Sequence, residues 1–263
     1  MTAEKRKRTI LIPLDTEPVS SDNLTFTAIL AKYLNASLSG LFVANSRTLE
    51  AANLPFAFEI NRFSAQERSL HQADLARLNR KSANDVQRLL NDVCQRNKIS
   101  VTFTTLTGEL IESAFAQPAS DILFFPRQHN WVSAQWQYQA RGQYRAQSPA
   151  RQRLDQVLVY YDASAQAEEA IKLAQRLCNN HLASRLILLC EGTAPIEVVR
   201  ALQQLGIRPG VQQVTTSDPL WLRSLYLTES SLVLIPRSKL AGLTPQQLSF
   251  LFAHCKGQIL LLD

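Results

Sequence analysis

The segment Leu154–Asp162, LDQVLVYYD, restarts a pattern already used near the N-terminus, and that restart limits what the chain can fold into. In it Val157, Leu158, Val159, Tyr160 and Tyr161 run up to Asp162; earlier, Ile10, Leu11, Ile12, Pro13 and Leu14 run up to Asp15. Both runs are short, rich in β-branched or aromatic residues and free of polar alternation. That is the pattern of a strand covered on both faces in a parallel sheet.

The two aspartates stand 147 positions apart, and the same offset joins SLSGLFV (37–43) to SRLILLC (184–190). Between them lie LAKYL (30–34) and LAQRL (173–177), each within a stretch of helical apolar spacing. Farther on, residues 101–128 lie over residues 211–238 at a constant offset of 110. Val101/Val211, Leu110/Leu220, Ser120/Ser230 and the dipeptides Pro126-Arg127 and Pro236-Arg237 match there. Each half therefore alternates strand and helix through four strands, the mark of an internal repeat. Such alternation predicts an α/β fold: two tandem Rossmann-like domains, each an open parallel sheet with right-handed crossovers and helices on both faces. The boundaries fall at 1–150 and 151–263, and domains of this size can each build a core.

The two offsets, 147 and 110, differ by 37 residues, which are extra material in the first half. Ser64-Ala65-Gln66-Glu67 has the form of a capping box. From there to Asn97 no Gly or Pro intervenes, and Leu75, Leu78, Val86, Leu89, Leu90 and Val93 recur at three-to-four spacing. This predicts one long amphipathic helix over about 64–97, matched in the second half only by a short one near Ile196–Leu205. Ahead of it, 45–63 is expected to be a loop that exposes Phe56, Phe58 and Phe63. Third helices are signalled by Thr107-Gly108-Glu109 and by Asp218-Pro219. The second half closes with a helix, Pro245–His254, and an apolar strand, Gln258–Leu262. In the first half the stretch 127–153 stands in that place, with Trp131, Trp136, Tyr138 and Tyr144 among Arg141, Arg145, Arg151 and Arg153. Aromatics interleaved with arginine occur in single-strand nucleic-acid grooves. No nucleic-acid-binding module accompanies them, so a connector docked on protein is the expectation.

Composition excludes several classes. An apolar fraction of 46% with 19% charged residues belongs to a globular chain rather than a disordered one. No apolar run approaches the roughly 18–20 residues of a membrane span, and the basic start Lys5–Arg8 precedes too short an apolar run for a signal peptide. The expectation is a cytoplasmic protein without membrane insertion. Cys94, Cys178, Cys190 and Cys255 form no CxxC pair and the four histidines are isolated, so no metal site is expected. The net charge of +6 favours anionic partners only loosely. No nucleophile–base pair or GxSxG elbow stands out, which argues against an enzyme.

The strand endings at Asp15 and Asp162, the helices LAKYL and LAQRL, the strands SDILFFP and SSLVLIP and the ending AHCKGQILLLD together resemble the tandem form of the universal stress protein family. The resemblance implies an adenine nucleotide alpha hydrolase-like fold and, in ATP-binding members, a Gly-x-x-Gly loop after the fourth strand. About nine residues later such members open the last helix with Gly-Ser or Gly-Thr. Glycines there let the backbone approach phosphates, and amides at the helix start face the anion. This chain has Pro236, Arg237, Ser238 and Lys239 after the fourth strand of its second half, and Thr244-Pro245-Gln246-Gln247 at the last helix, where Thr at the N-cap and Gln at N3 form a self-capping box. The first half has Pro126-Arg127-Gln128-His129.

The candidate crevice residues are therefore Asp15, Asp162, Arg127, Arg237 and Lys239, an anion or nucleotide set at the carboxyl ends of strands. Asp15 and Asp162 also suit a turn-and-cap role, and the arginines a solvated one. The expectation is a non-catalytic, stress-related regulator with no cofactor, acting through a protein partner, self-association as a dimer, or a small anion. The alternatives are an ATP-binding protein with a diverged loop and weak ATPase activity, and an adaptor on a membrane transporter.

Overall fold

The computed structural model describes residues 8–16, 21–54, 56–60, 65–117, 120–126, 153–193, 195–216 and 221–263. In chain order the first half holds β1 (Thr9–Leu14), α1 (Ser21–Leu34), β2 (Ser37–Asn45), α2 (Ser46–Ala51), β3 (Phe58–Ile60), β4 (Glu67–Ser69), α3 (Gln72–Asn97), β5 (Val101–Gly108), α4 (Leu110–Phe115) and β6 (Ile122–Phe125). The second holds β7 (Gln156–Tyr161), α5 (Ala165–Asn179), β8 (Leu186–Cys190), α6 (Ile196–Gln204), β9 (Gly210–Gln213), β10 (Ser231–Pro236), α7 (Pro245–His254) and β11 (Gln258–Leu262).

Among the described residues nine strands form one sheet in the order β5-β2-β1-β6-β11-β10-β7-β8-β9. Every pairing is parallel except one, β6 with β11, which runs antiparallel with Phe125 opposite Ile259 and Ile122 opposite Leu262. Outward from that seam the order is 4-1-2-3 on one side and 5-4-1-2-3 on the other, counting each half's main strands. β1 begins at Thr9 and β7 at Gln156, 147 positions apart.

Period-two alternation sorts the strand side chains into two buried layers. Ile10, Ile12, Val157, Val159, Leu232, Leu234, Leu260 and Leu262 pack on one face with α1, α3, α5 and α6. Leu11, Leu123, Phe125, Leu158, Tyr160, Val233, Ile235 and Ile259 pack on the other with α4, α7 and the 3₁₀ turn Trp221–Ser224. Both faces are covered, which explains why the strands lack polar alternation. Gly40 sets how closely α3 and β5 approach β2: a Cβ there would lie 2.7 Å from Leu90 and 2.8 Å from Phe103.

At the seam Phe125 stacks on Phe252 of α7 with ring centroids 4.2 Å apart, and Phe115 of α4 lies 6.4 Å from Phe125. On the opposite face Phe26 of α1 meets Phe124 at 6.3 Å.

Three expectations are corrected. The long helix begins at Gln72 rather than 64, with His71 at its N-cap, and Glu67 lies in the β3–β4 hairpin instead of a capping box. Cross-strand hydrogen bonding satisfied this segment's backbone before helix could, and the β-region backbone of His71 marks the start. Part of the expected loop 45–63 is ordered as α2, capped by the Asn45 side chain accepting from the Thr48 amide at 3.1 Å, and as β3. In place of a third helix in the second half, the described residues show only the turn Trp221–Ser224. Asp218-Pro219, Ser64, Phe63 and the connector 127–152 lie outside the described residues.

Leu260 is fully buried in β11 between β6 and β10. Leu260→Ala should therefore lower stability by about 2–5 kcal/mol. Hydrogen exchange should speed up at both Leu123 and Val233; acceleration confined to the second half would contradict a shared sheet.

Candidate functional site

The switch point of each half lies where its first strand is flanked by its second and fourth, and open α/β sheets bind ligands at the carboxyl ends there. In the second half that place is filled by the protein's own side chains. Asp162 follows β7; its Oδ1 accepts the Ser164 amide at 3.1 Å, and its Oδ2 lies 3.7 Å from Lys239 Nζ. Ala163 between them takes a left-handed backbone, φ 59°, and Ser164 caps α5 by accepting from the Ala167 amide at 3.1 Å. Asp162 is thus at once a turn residue and one half of an ion pair.

Lys239 reaches it from the 3₁₀ turn Arg237–Leu240, which directly follows β10. Its ammonium also sits 5.2 Å from the ring centroid of Tyr160, a buried residue two positions before Asp162 and so on the same side of β7. Tyr160 in turn stacks obliquely on Trp221 at 5.5 Å.

These groups shift one another. Burial pushes the Asp162 carboxyl up, but the Ser164 hydrogen bonds and the Lys239 charge outweigh it and hold it below the usual range. Burial pushes Lys239 down, while the Tyr160 hydrogen bond and the charges of Tyr160, Asp162 and Glu191 raise it overall. Tyr160 is raised, first by burial, with Lys239 opposing and Glu191 adding to the rise. Each shift of the Asp–Lys pair favours the charged form.

The amides at the start of the last helix are also engaged. At α7 the Thr244 hydroxyl accepts from the Gln247 amide at 3.3 Å, and Gln247 Oε1 accepts from the Thr244 amide at 2.9 Å. Pro245 occupies the first helical position and has no N–H to offer. This is the self-capping box that the sequence predicts.

Arg237 stands apart from Lys239. Its guanidinium donates to the Phe115 carbonyl and pairs with Asp263 at 2.6 Å, with its carbon 5.2 Å from the Phe115 ring centroid. It therefore ties the turn after β10 to α4 in the first half, a structural tie rather than a crevice cation. Its partners were not visible in sequence, yet the parallel register of Pro236 with Leu262 brings the following residues, Arg237 and Asp263, side by side. Tyr160 and Glu191 were also missed; the first was legible from its two-residue spacing to Asp162.

In the first half Asp15 is half-buried after β1. The β1–β6 ladder pairs Ile10 with Ile122 and Leu11 with Leu123 and stops before Pro13, which has no N–H to donate. Arg127 lies outside the described residues. Among the described residues no group of three or more His, Cys, Asp or Glu side chains is placed to hold a metal ion, and no helix is long and apolar enough to cross a membrane.

The architecture is that of an open, mostly parallel α/β sheet with helices on both faces. More narrowly, it is the universal stress protein fold. A universal stress protein from Archaeoglobus fulgidus superposes with a TM-score of 0.50 at 13% identity, over 97% of this chain and 96% of that one. A lysine monooxygenase from Nocardia farcinica, at 7% identity over 80% of this chain and 72% of its own, reaches a TM-score of only 0.17, which carries no likeness of fold. No family model and no curated protein matches the chain.

Two outcomes are expected. Arg237→Ala should cost about 1–3 kcal/mol in urea unfolding by stranding the Phe115 carbonyl and Asp263, while Arg237→Lys recovers only part. For Asp162 the folded carboxyl value lies below the ~3.9 of a free aspartate. Its contribution is thus fully present above that pH and lost as pH falls through the lower folded value. The stability gap between wild type and Asp162→Asn, about 1 kcal/mol or less for a pair this exposed, should be present at pH 6 and shrink below pH ~4. A gap that widened on acidification would contradict the pairing.

Proposed function

We propose that this chain is a non-catalytic regulatory protein of the universal stress protein kind, which does not hold ATP in the way that family's nucleotide-binding members do. It acts instead through a protein partner or a small anion. The observation that carries the reading is the Lys239–Asp162 pair lying over Tyr160, which places a cation of the protein's own at the carboxyl end of β7.

A diphosphate held by backbone needs a tight turn of small residues and free amides at the helix start. Here Pro236 and Pro245 each lack a donor, and the Thr244–Gln247 box engages the amides of both its residues. Losing two or three charge-assisted hydrogen bonds, at roughly 1.5–3 kcal/mol each, weakens binding by several powers of ten at about 1.4 kcal/mol per tenfold. A micromolar site becomes millimolar or weaker. Freeing Lys239 for a phosphate would also leave Asp162 without its cation, so incoming anions compete with an existing ion pair.

Stress-related regulation follows from likeness of fold, and the absence of an evident nucleophile–base pair supports a binding role over a catalytic one. Calorimetry with Mg-ATP tests the proposal: no micromolar binding is expected. Replacing Pro236 and Lys239 by Gly and Pro245-Gln246 by Gly-Ser should leave the fold intact, as judged by circular dichroism. Micromolar ATP binding by the wild-type chain that is lost in Asp162→Ala would overturn the reading.

A further inference from the structure

On the α1/α5 face a second concavity lies at the seam. It has a volume of about 280 Å³, near the small end of ligand pockets and suited to a ligand of about ten heavy atoms. Buried Leu34 at the end of α1, Leu173 on α5 and Leu262 at the end of β11 supply apolar walls, so both halves of the chain contribute. None of its lining residues belongs to the Asp162–Lys239 crevice.

Its rim is charged. Arg8, before β1, pairs with Glu169 of α5. Lys172 and Arg176, one helical turn apart on α5, also line it, and among the described residues neither has a carboxylate partner. Glu168 is the remaining charged group. Three cations against two carboxylates leave the rim one positive charge in excess. That balance suits a monoanion and disfavours a polyphosphate, which would meet Glu168 and Glu169 as well as the cations. Leucine walls have no use for a bare inorganic ion, but they match a short apolar body.

We propose that this groove binds a small amphipathic monoanion, a carboxylate on a short hydrocarbon chain or ring. The Arg176 guanidinium and the Lys172 ammonium hold the carboxylate, and Leu34, Leu173 and Leu262 take the apolar part. Guanidinium suits the role because its planar fork can bind both carboxylate oxygens. Since Leu34 and Arg8 come from one half and α5 and β11 from the other, an occupied groove adds contacts across the seam and stabilises the paired halves by mass action. The inference does not rest on the crevice reading above and stands or falls separately.

Octanoate is the probe. Isothermal titration of the full chain at low millimolar octanoate should give saturable one-to-one binding, and the melting temperature should rise with concentration. The double variant Lys172→Gln/Arg176→Gln, altered at two exposed residues, should fold normally and bind at least tenfold more weakly. Arg176→Lys, which keeps the charge and loses the fork, should fall between. Sodium sulfate at matched ionic strength should produce no saturable binding. Undiminished octanoate binding by the double variant, no saturable binding by wild type, or equal binding of sulfate would each overturn the proposal.

Discussion

The antiparallel pairing of β6 with β11 is the constraint on which the rest of the molecule depends. Parallel sheets built from strand–helix–strand units end in unpaired edges, and an apolar edge strand left open invites association. β11 is apolar from Ile259 onward, and Gln258 through Leu262 are all buried. It solves the problem by serving as the last strand of its own half and the neighbour of the first half's fourth strand. One strand thus closes two edges, and the two halves of the chain share one nine-stranded sheet among the described residues. The aromatic stack of Phe125 on Phe252 and the Arg237 tie to Phe115 follow from that pairing.

The seam also accounts for what became of two basic residues that share one short turn. Arg237 and Lys239 are two positions apart, so they leave the turn in different directions. Arg237 falls beside Asp263 because β10 and β11 are in parallel register, and α4 of the other half lies within reach. Lys239 falls over β7, where Tyr160 offers an aromatic ring and Asp162 a carboxylate. The first is spent on holding the halves together and the second on neutralising a partly desolvated aspartate. A fold whose switch point is usually open to ligands thus has a charge pair of its own standing there.

Much of the frame was legible in advance. The strand ends at Asp15 and Asp162, the amphipathic run through Leu90 and Val93, and the Thr244–Gln247 capping box all depend on interactions within a few residues, so composition and spacing expose them. The start of α3 was misread because Ser64 and Glu67 carry the right residue types for a cap while the segment's backbone found a strand partner instead. That choice is made across the hairpin, between residues such as Phe58 and Ser69, and no local pattern records it.

From the sequence by itself came the repeated strand–helix pattern, the buried parallel strands and the extra material in the first half. These follow from periodicity and backbone chemistry, which are properties of short stretches. Only the tertiary structure decided that the two halves share one sheet through β6 and β11, that Arg237 spans the seam while Lys239 pairs with Asp162, and that Leu34, Leu173 and Leu262 line a common groove. Each joins residues far apart in the chain, and what brings them together is strand register and the packing of helices across a shared sheet.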